Sequence, residues 1–129
     1  MIVVDASLVF ELCVNFEGGD AGRARLPSDE PVVAPEILIL EFTQTLRRYV
    51  RKGQLNDAQA KIAFVNFDDL GITLFSHREL RDRIWAMREN LTAYDAAYFA
   101  LAEYVDAPLW TRDTKFARAP IRSVDVRVV

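Results

Sequence analysis

Short apolar runs alternate along this chain with longer segments in which apolar residues recur at helical spacing. The apolar runs predict five strands, at Ile2–Val4, Pro31–Ala34, Ile72–Phe75, Leu109–Thr111 and Ser123–Val129. The periodic segments predict helices at Ser7–Val14, 20–27, Pro35–Lys52, Asn56–Leu70, 78–89 and Thr92–Asp106, with a short helical turn after the fourth strand. Short strands separated by helices are typical of an α/β fold, in which helices cover both faces of a mainly parallel sheet.

Single residues mark where several of these helices begin and end. Pro35 suits the first turn of its helix, Gly53 suits the end of that helix, and Asn56 suits the cap of the next one. In parallel sheets, ligands bind beyond the carboxyl ends of the strands. The residues that follow the first and fourth strands are therefore the first place to look for a functional site.

Composition narrows the class of protein without naming a function. The chain has 129 residues, of which 51% are hydrophobic and 27% charged, so we expect one globular domain spanning residues 1–129. No apolar run approaches the roughly 20 residues of a membrane span, so we expect no membrane association. Cys13 is the single cysteine, which fits a reducing cytoplasm. His77 is the single histidine, so a Ser-His-Asp or Cys-His mechanism would have only one candidate base.

Four acidic residues lie where they can converge on one pocket. Asp5 and Asp113 follow apolar strands, whereas Glu41 and Asp95 interrupt apolar segments that are predicted to be helical. Clustered carboxylates repel one another and burial makes their charge costly, but a bound divalent cation removes both penalties. Oxygen ligands without a Cys or His partner favour Mg²⁺ or Mn²⁺ over zinc.

Each of these acids also has a purely structural interpretation. Asp5 and Asp113 are suited to cap the helical turns that follow them, and Ser7 and Thr111 are suited to hold a neighbouring carboxylate or to act as caps themselves. Asp95 comes three residues after Thr92, which is the spacing of a capping box. Asp95 is nevertheless the only charged residue between Leu91 and Ala102, and this isolation favours a functional carboxylate.

Glu41 is ambiguous when it is judged by periodicity alone. It falls on the polar stripe of its helix, so a solvent-facing carboxylate beside Arg48 is an open alternative. Its position near the start of the helix, next to strand carboxyl ends, would also bring it within reach of Asp5.

The basic residues form two clusters, although the net charge of −3 does not by itself predict nucleic-acid binding. One cluster comprises Arg47, Arg48, Arg51 and Lys52, and the other comprises Arg112, Lys115, Arg118 and Arg122. The simplest interpretation of either cluster is a solvated surface. The second cluster lies close to Asp113 in sequence, which leaves a role in binding an anionic substrate open.

Four motifs in this order and spacing resemble those of a known family. They are Val4-Asp5-Ala6-Ser7, the stretch from Pro35 to Glu41 that runs on into Leu46-Arg47-Arg48, Leu91-Thr92-Ala93-Tyr94-Asp95-Ala96-Ala97-Tyr98, and Trp110-Thr111-Arg112-Asp113. Across nearly the whole chain they resemble the PIN-domain nucleases, and within them the VapC-type toxins of toxin–antitoxin pairs. The chain departs from many relatives at Gln44, where they have Asn, which puts the support of Glu41 in doubt.

The resemblance implies a three-layer α/β/α fold and cleavage of RNA that depends on Mg²⁺ or Mn²⁺. It implies that Asp5, Glu41, Asp95 and Asp113 form the catalytic set, that Asp5, Asp95 and Asp113 ligate the metal, and that Ser7 and Thr111 support them. Arg47, Arg48, Arg112 and Lys115 would offset the repulsion between these acids and RNA. It further implies a homodimer and inhibition by a VapB-type antitoxin.

Three other functions stay open at this point. A small phosphatase could use Asp5 as nucleophile, although such enzymes usually carry a second Asp where this chain has Ser7. A housekeeping nuclease, or a nuclease-fold binding module without activity, would share the same fold. Hydrolysis of a small phosphate ester but not of RNA would favour the phosphatase.

Overall fold

A central parallel sheet carries the fold in the computed structural model, which describes residues 1–14 and 25–129. Its strands are β1 (Ile2–Val4), β2 (Val32–Pro35), β3 (Thr73–Phe75), β4 (Leu109–Thr111) and β5 (Val126–Val128). They pair in parallel in the order β3-β2-β1-β4-β5. All five predicted strands are present, and the last is shorter than predicted because only its final residues pair with β4.

Six α-helices are described: α1 (Ala6–Cys13), α2 (Ile37–Arg51), α3 (Asp57–Asp69), α4 (Arg81–Ala86), α5 (Ala93–Val105) and α6 (Thr114–Arg118). The helix predicted over 78–89 is instead a 3-10 turn at Arg78–Leu80 followed by the short α4. The Leu80 amide bonds to the His77 carbonyl, three residues back, so this turn is wound more tightly than an α-helix. Most of the helix predicted at 20–27 lies outside the described residues.

Pro35 does not open α2 as predicted, because it pairs with Phe75 as the last residue of β2. The next amide, that of Glu36, still donates to the Phe75 carbonyl, and α2 begins only at Ile37. The other predicted boundary residues behave as expected. Gly53 follows α2 with φ of 73°, and Asn56 caps α3 in a capping box with Gln59.

Alternating strand residues divide the core into two halves, one on each face of the sheet. Val4 and Val32 pack on the same side as the apolar faces of α1, α2 and α3. Val3 and Val33 face the other side, where α5, α6 and the segment around α4 cover the sheet. The structure is therefore the predicted three-layer α/β/α sandwich.

The carboxyl ends of β1, β2 and β4 meet at one edge of the sheet. Asp5 directly follows β1, the amino end of α2 follows β2, and Arg112 and Asp113 follow β4. The first turn of α5 also carries part of a groove that α1 and α2 line. Within residues 1–14 and 25–129, no helix is long and apolar enough to cross a bilayer.

Candidate active site

Asp5 is buried at the end of β1, with only 4% of its surface exposed. It caps α1 by accepting a hydrogen bond of 3.0 Å from the Leu8 amide. It also accepts bonds from the hydroxyls of Ser7, at 2.8 Å, and Thr111, at 2.6 Å. The capping interpretation is thus right, and it is compatible with a functional carboxylate because the cap uses only part of the acceptor capacity.

Ser7 and Thr111 join Asp5 to the loop after β4. While each hydroxyl donates to Asp5, the Ser7 oxygen accepts from the Arg112 amide at 3.0 Å and the Thr111 oxygen accepts from the Asp113 amide at 2.8 Å. Both hydroxyls therefore act as donor and acceptor at once. The loop that carries Asp113 is tied in this way to the carboxylate that ends β1.

Asp113 and Asp95 are placed by helix starts. Asp113 caps α6 and accepts a 2.9 Å bond from the Lys115 amide. Thr92 caps α5, and its hydroxyl accepts a 3.2 Å bond from the Asp95 amide. Thr92 is therefore a cap, as its sequence position indicated, and the half-buried Asp95 carboxylate belongs to the groove wall.

Glu41 is half-buried and does not face solvent beside Arg48 as the periodicity allowed. Its Oε1 accepts a 2.7 Å hydrogen bond from the hydroxyl of Tyr98 on α5. Arg48 instead donates to the hydroxyl of Thr45, at 3.4 Å. The sequence had put the support of Glu41 in doubt because Gln44 stands where many relatives have Asn, and the structure shows that Tyr98 supplies a hydrogen bond to Glu41. Gln44 itself lines the nearby groove.

Burial and mutual repulsion both act on the carboxylates of this site. Burial is the main cause that raises the pKa of Asp5, while bonds from Thr111, Leu8 and Ser7 oppose it and Asp113 adds to it. Burial likewise raises the pKa of Glu41. The hydrogen bond from Tyr98 lowers this pKa, whereas the charges of Asp95 and Asp5 raise it further. Each of these acids thus senses the charge of another, which places them in one electrostatic cluster.

Asp95 is the member of the acid cluster that α5 contributes. Burial raises its pKa most, the charge of Asp113 raises it further, and Lys115 and the Thr92 hydroxyl act in the opposite direction. The four acids predicted from the sequence are therefore brought together around the carboxyl ends of β1 and β4.

Across residues 1–14 and 25–129, no three acidic, histidine or cysteine side chains are arranged to hold one metal ion as they stand. Mutual repulsion disfavours close approach of the carboxylates, and both oxygens of Asp5 accept bonds from hydroxyls. The donor set nevertheless fits a hard divalent cation, because it is all oxygen and carries excess negative charge.

A groove of about 700 Å³ opens beside the acids. Ser7, Glu41 and Asp95 contribute to its polar wall, and the rest of the lining comprises Ala6, Phe10, Ile37, Leu40, Gln44, Thr45, Arg48, Tyr49, Thr92 and Tyr94. The groove therefore combines apolar side chains with carboxylates, and this lining can accept an extended chain that bears both apolar and charged groups.

The four basic residues predicted to contact substrate differ in placement. Arg48 lines the groove, and Lys115 is close enough to Asp95 to affect its pKa. Arg112 instead pairs with Glu11 and donates to the Val129 carbonyl. Arg47 is exposed on α2 and is not among the residues that line the groove.

Comparison with known proteins agrees with this architecture. A family model described as PIN domain matches residues 2–121. Ribonuclease VapC9 of Mycobacterium tuberculosis is 34% identical over 117 residues, which cover 91% of this chain and 89% of that protein.

The chain belongs to the PIN-domain family.

Solved structures show the same fold. The Pyrobaculum aerophilum protein PAE2754 aligns with a TM-score of 0.73 at 22% identity, covering 98% of this chain and 83% of that one. VapBC2 from Rickettsia felis, solved with a DNA fragment from its promoter, aligns with a TM-score of 0.57 at 17% identity, covering 98% of each chain. The order of the strands and the layers described above are therefore those of known PIN-domain proteins.

Tyr98 and His77 take positions in this PIN domain that the sequence did not reveal. Tyr98 follows Asp95 by three residues, so both side chains lie on the same face of α5. This spacing is the signal from which the sequence could have pointed to Tyr98. His77 Nε2 accepts a 2.9 Å bond from the Ile37 amide at the start of α2. His77 therefore accepts a structural hydrogen bond at the start of the helix that carries Glu41.

Tyr98→Phe should lower the free energy of unfolding by about 1.5 kcal/mol at neutral pH, which is the low end for a bond to a charged group because water partly reaches Glu41. Urea unfolding measures the change as a lower midpoint with an unchanged slope. Tyr104→Phe, at the exposed end of the same helix, is the matched control. An unchanged midpoint in Tyr98→Phe would mean that the hydroxyl contributes nothing to holding Glu41.

The raised pKa values predict how stability changes with pH. Protons bind Asp5, Glu41 and Asp95 more tightly in the folded chain than in the unfolded one. Their contribution to stability is therefore fully present below the ordinary values of 3.8 and 4.5, and it is lost as the pH rises through the raised values. Asp95→Asn removes one of these charges.

In chelator, Asp95→Asn should be more stable than the unmutated protein at pH 7, and this advantage should shrink toward pH 4. Thermal unfolding at both pH values provides the measurement. Glu89→Gln, which alters a side chain 81% exposed and outside the site, should show no such change. If Asp95→Asn is equally or less stable at pH 7, the repulsion inferred for the cluster is wrong.

Proposed function

We propose that this protein is a metal-dependent endoribonuclease that acts as the toxin of a toxin–antitoxin pair. The observation that carries the proposal is the convergence of Asp5, Glu41, Asp95 and Asp113 beside an open groove. The names of its PIN-domain relatives add support, since VapC9 is described as a ribonuclease and is 34% identical to this chain.

Asp5, Asp95 and Asp113 hold Mg²⁺ or Mn²⁺ in this proposal. When bound, the ion supplies Lewis-acid stabilisation of the phosphate and lowers the pKa of a water molecule. Ser7 and Thr111 keep Asp5 oriented through the bonds described above. Tyr98 keeps Glu41 at the groove wall, where its carboxylate orients the attacking water.

Positive charge near the groove brings the RNA backbone to these acids. Arg48 lines the groove and Lys115 lies near Asp95, so these two are the better candidates for phosphate contact. Arg112 contributes less because Glu11 and the Val129 carbonyl already hold its guanidinium, and Arg47 contacts only RNA that extends beyond the groove. Each lost phosphate contact should weaken binding in a salt-dependent manner.

A VapB-type antitoxin is the proposed protein partner, in the cytoplasm. The groove has the apolar side chains that an amphipathic segment needs, and the exposed Leu40 is one of them. An Arg or Lys of the antitoxin would pair with the carboxylates of the groove. We further propose a homodimer, to which the exposed Ile62 and Val65 of α3 could contribute apolar surface.

Asp5→Asn should reduce RNA cleavage more than about 100-fold, since loss of an interaction that merely orients a ligand already costs about 10–100-fold. Mg²⁺ or Mn²⁺ should support cleavage by the unmutated protein, whereas Ca²⁺, which relaxes the coordination geometry, should not. The measurement is cleavage of a single-stranded RNA with each metal and in chelator.

Glu89→Gln serves as the folded, active control for Asp5→Asn. Full cleavage in chelator would show that the carboxylates hold no catalytic metal. Cleavage by Asp5→Asn at the rate of the unmutated protein would remove Asp5 from the proposed metal site.

Inhibition by the antitoxin should weaken as Mg²⁺ rises, because the cation and the antitoxin's basic side chain compete for the same oxygens. Titration of Mg²⁺ into the purified complex, followed by RNA cleavage and antitoxin release, measures this competition. If inhibition is insensitive to Mg²⁺ and survives replacement of the antitoxin's basic residues by Ala, the antitoxin acts by covering the groove instead.

A further inference from the structure

Tyr94 is a large aromatic side chain left in solvent beside the acid cluster. It is 63% exposed and directly precedes Asp95 in the first turn of α5. It lines the groove that contains Glu41 and Asp95, and it also lines a second cavity of about 220 Å³. An exposed aromatic ring between two cavities is well placed to contact a ligand.

The second cavity lies next to the groove, because Ile37 and Tyr94 line both spaces. Its remaining walls are His77, Ile84, Ala93 and Ala97, which leave a surface that is mostly aliphatic and of small residues. It is smaller than the roughly 300 Å³ at which pockets for drug-sized ligands begin. A single planar ring system is therefore a better match to this space than a helix or an RNA duplex.

Resting on the function proposed above, we propose that Tyr94 stacks an unpaired nucleobase of the RNA next to the scissile phosphate, with this cavity receiving the base. Tyr94 and Asp95 both line the groove. A phosphate held near Asp95 therefore puts the base of its own or the adjoining nucleotide within reach of Tyr94. Unstacked bases of single-stranded RNA commonly stack on Tyr side chains in this way.

His77 gives the cavity a polar group for the edge of the base. Its Nε2 accepts from the Ile37 amide, so the neutral ring carries its proton on Nδ1. In this proposal, that N–H donates to a base carbonyl or ring nitrogen. The cavity thus offers stacking through Tyr94 and one hydrogen-bond donor, which together would bias cleavage toward particular bases.

The test removes the base and the tyrosine ring separately and together. The probes are a single-stranded RNA with a mapped cleavage position and the same RNA with an abasic nucleotide beside that position. Tyr94→Ala should raise KM at least about five-fold on the intact RNA, in line with the loss of one stacked base. The abasic RNA should show a similar rise with the unmutated protein but little further rise with Tyr94→Ala.

Two further variants and two other measurements serve as controls for this experiment. Tyr94→Phe keeps the ring and should stay within about two-fold of the unmutated protein. Tyr104→Ala removes a tyrosine that is 61% exposed on the same helix and should leave KM unchanged. Mn²⁺ affinity, measured by calorimetry without RNA, and far-UV circular dichroism should be the same in all variants.

The inference is overturned if the fold-increases in KM caused by removing the base and by removing the ring multiply as independent effects do. It is equally overturned if Tyr94→Ala leaves KM unchanged. It is also overturned if Tyr94→Ala changes only the sedimentation of the protein or its binding of antitoxin, since Tyr94 would then serve a protein interface. If the unmutated protein cleaves no RNA with any metal, the proposed function itself fails. Cleavage that is insensitive to Tyr94 would reject the stacking role alone.

Discussion

Repulsion between carboxylates that the fold holds close together is the constraint on which this site depends. The parallel sheet brings the ends of β1 and β4 to one edge, and α2 and α5 add Glu41 and Asp95 from opposite layers. Hydroxyl donors on Ser7, Thr111 and Tyr98 offset part of the cost of burial. The remaining negative charge is what would attract a divalent cation, so the electrostatic cost of the cluster and the proposed chemistry have the same origin.

Much of the fold can be predicted from the sequence, because the strands of a sheet buried on both faces consist of short, continuous apolar runs. Ile2–Val4 and Leu109–Thr111 were predicted with the bounds that the structure has. Pro35 was placed wrongly because its fit to a first helical turn says nothing about its pairing with Phe75. The division of the 78–89 segment was missed for a similar reason, since a local pattern does not distinguish a 3-10 turn from the start of an α-helix.

The candidate site was predictable where it depends on strand ends and less so where it depends on packing between layers. Asp5 and Asp113 follow strands, so the sequence alone was sufficient to predict that they lie at the same edge of the sheet. The environment of Glu41 depends on Tyr98, which lies 57 residues away on another layer, and helical periodicity carries no information about such a partner. The pairing of Arg112 with Glu11 was likewise invisible, because it arises only when β4 lies beside β1.

The most direct test of this account is a crystal structure in saturating Mn²⁺, with anomalous scattering used to locate the ion. The account predicts a Mn²⁺ peak bound by oxygens of Asp5 and Asp95, with Asp113 directly or through water, and a smaller separation between these carboxylates than without metal. It would be contradicted by crystals in which the groove carries no Mn²⁺ peak and the four carboxylates are arranged as in crystals grown in chelator.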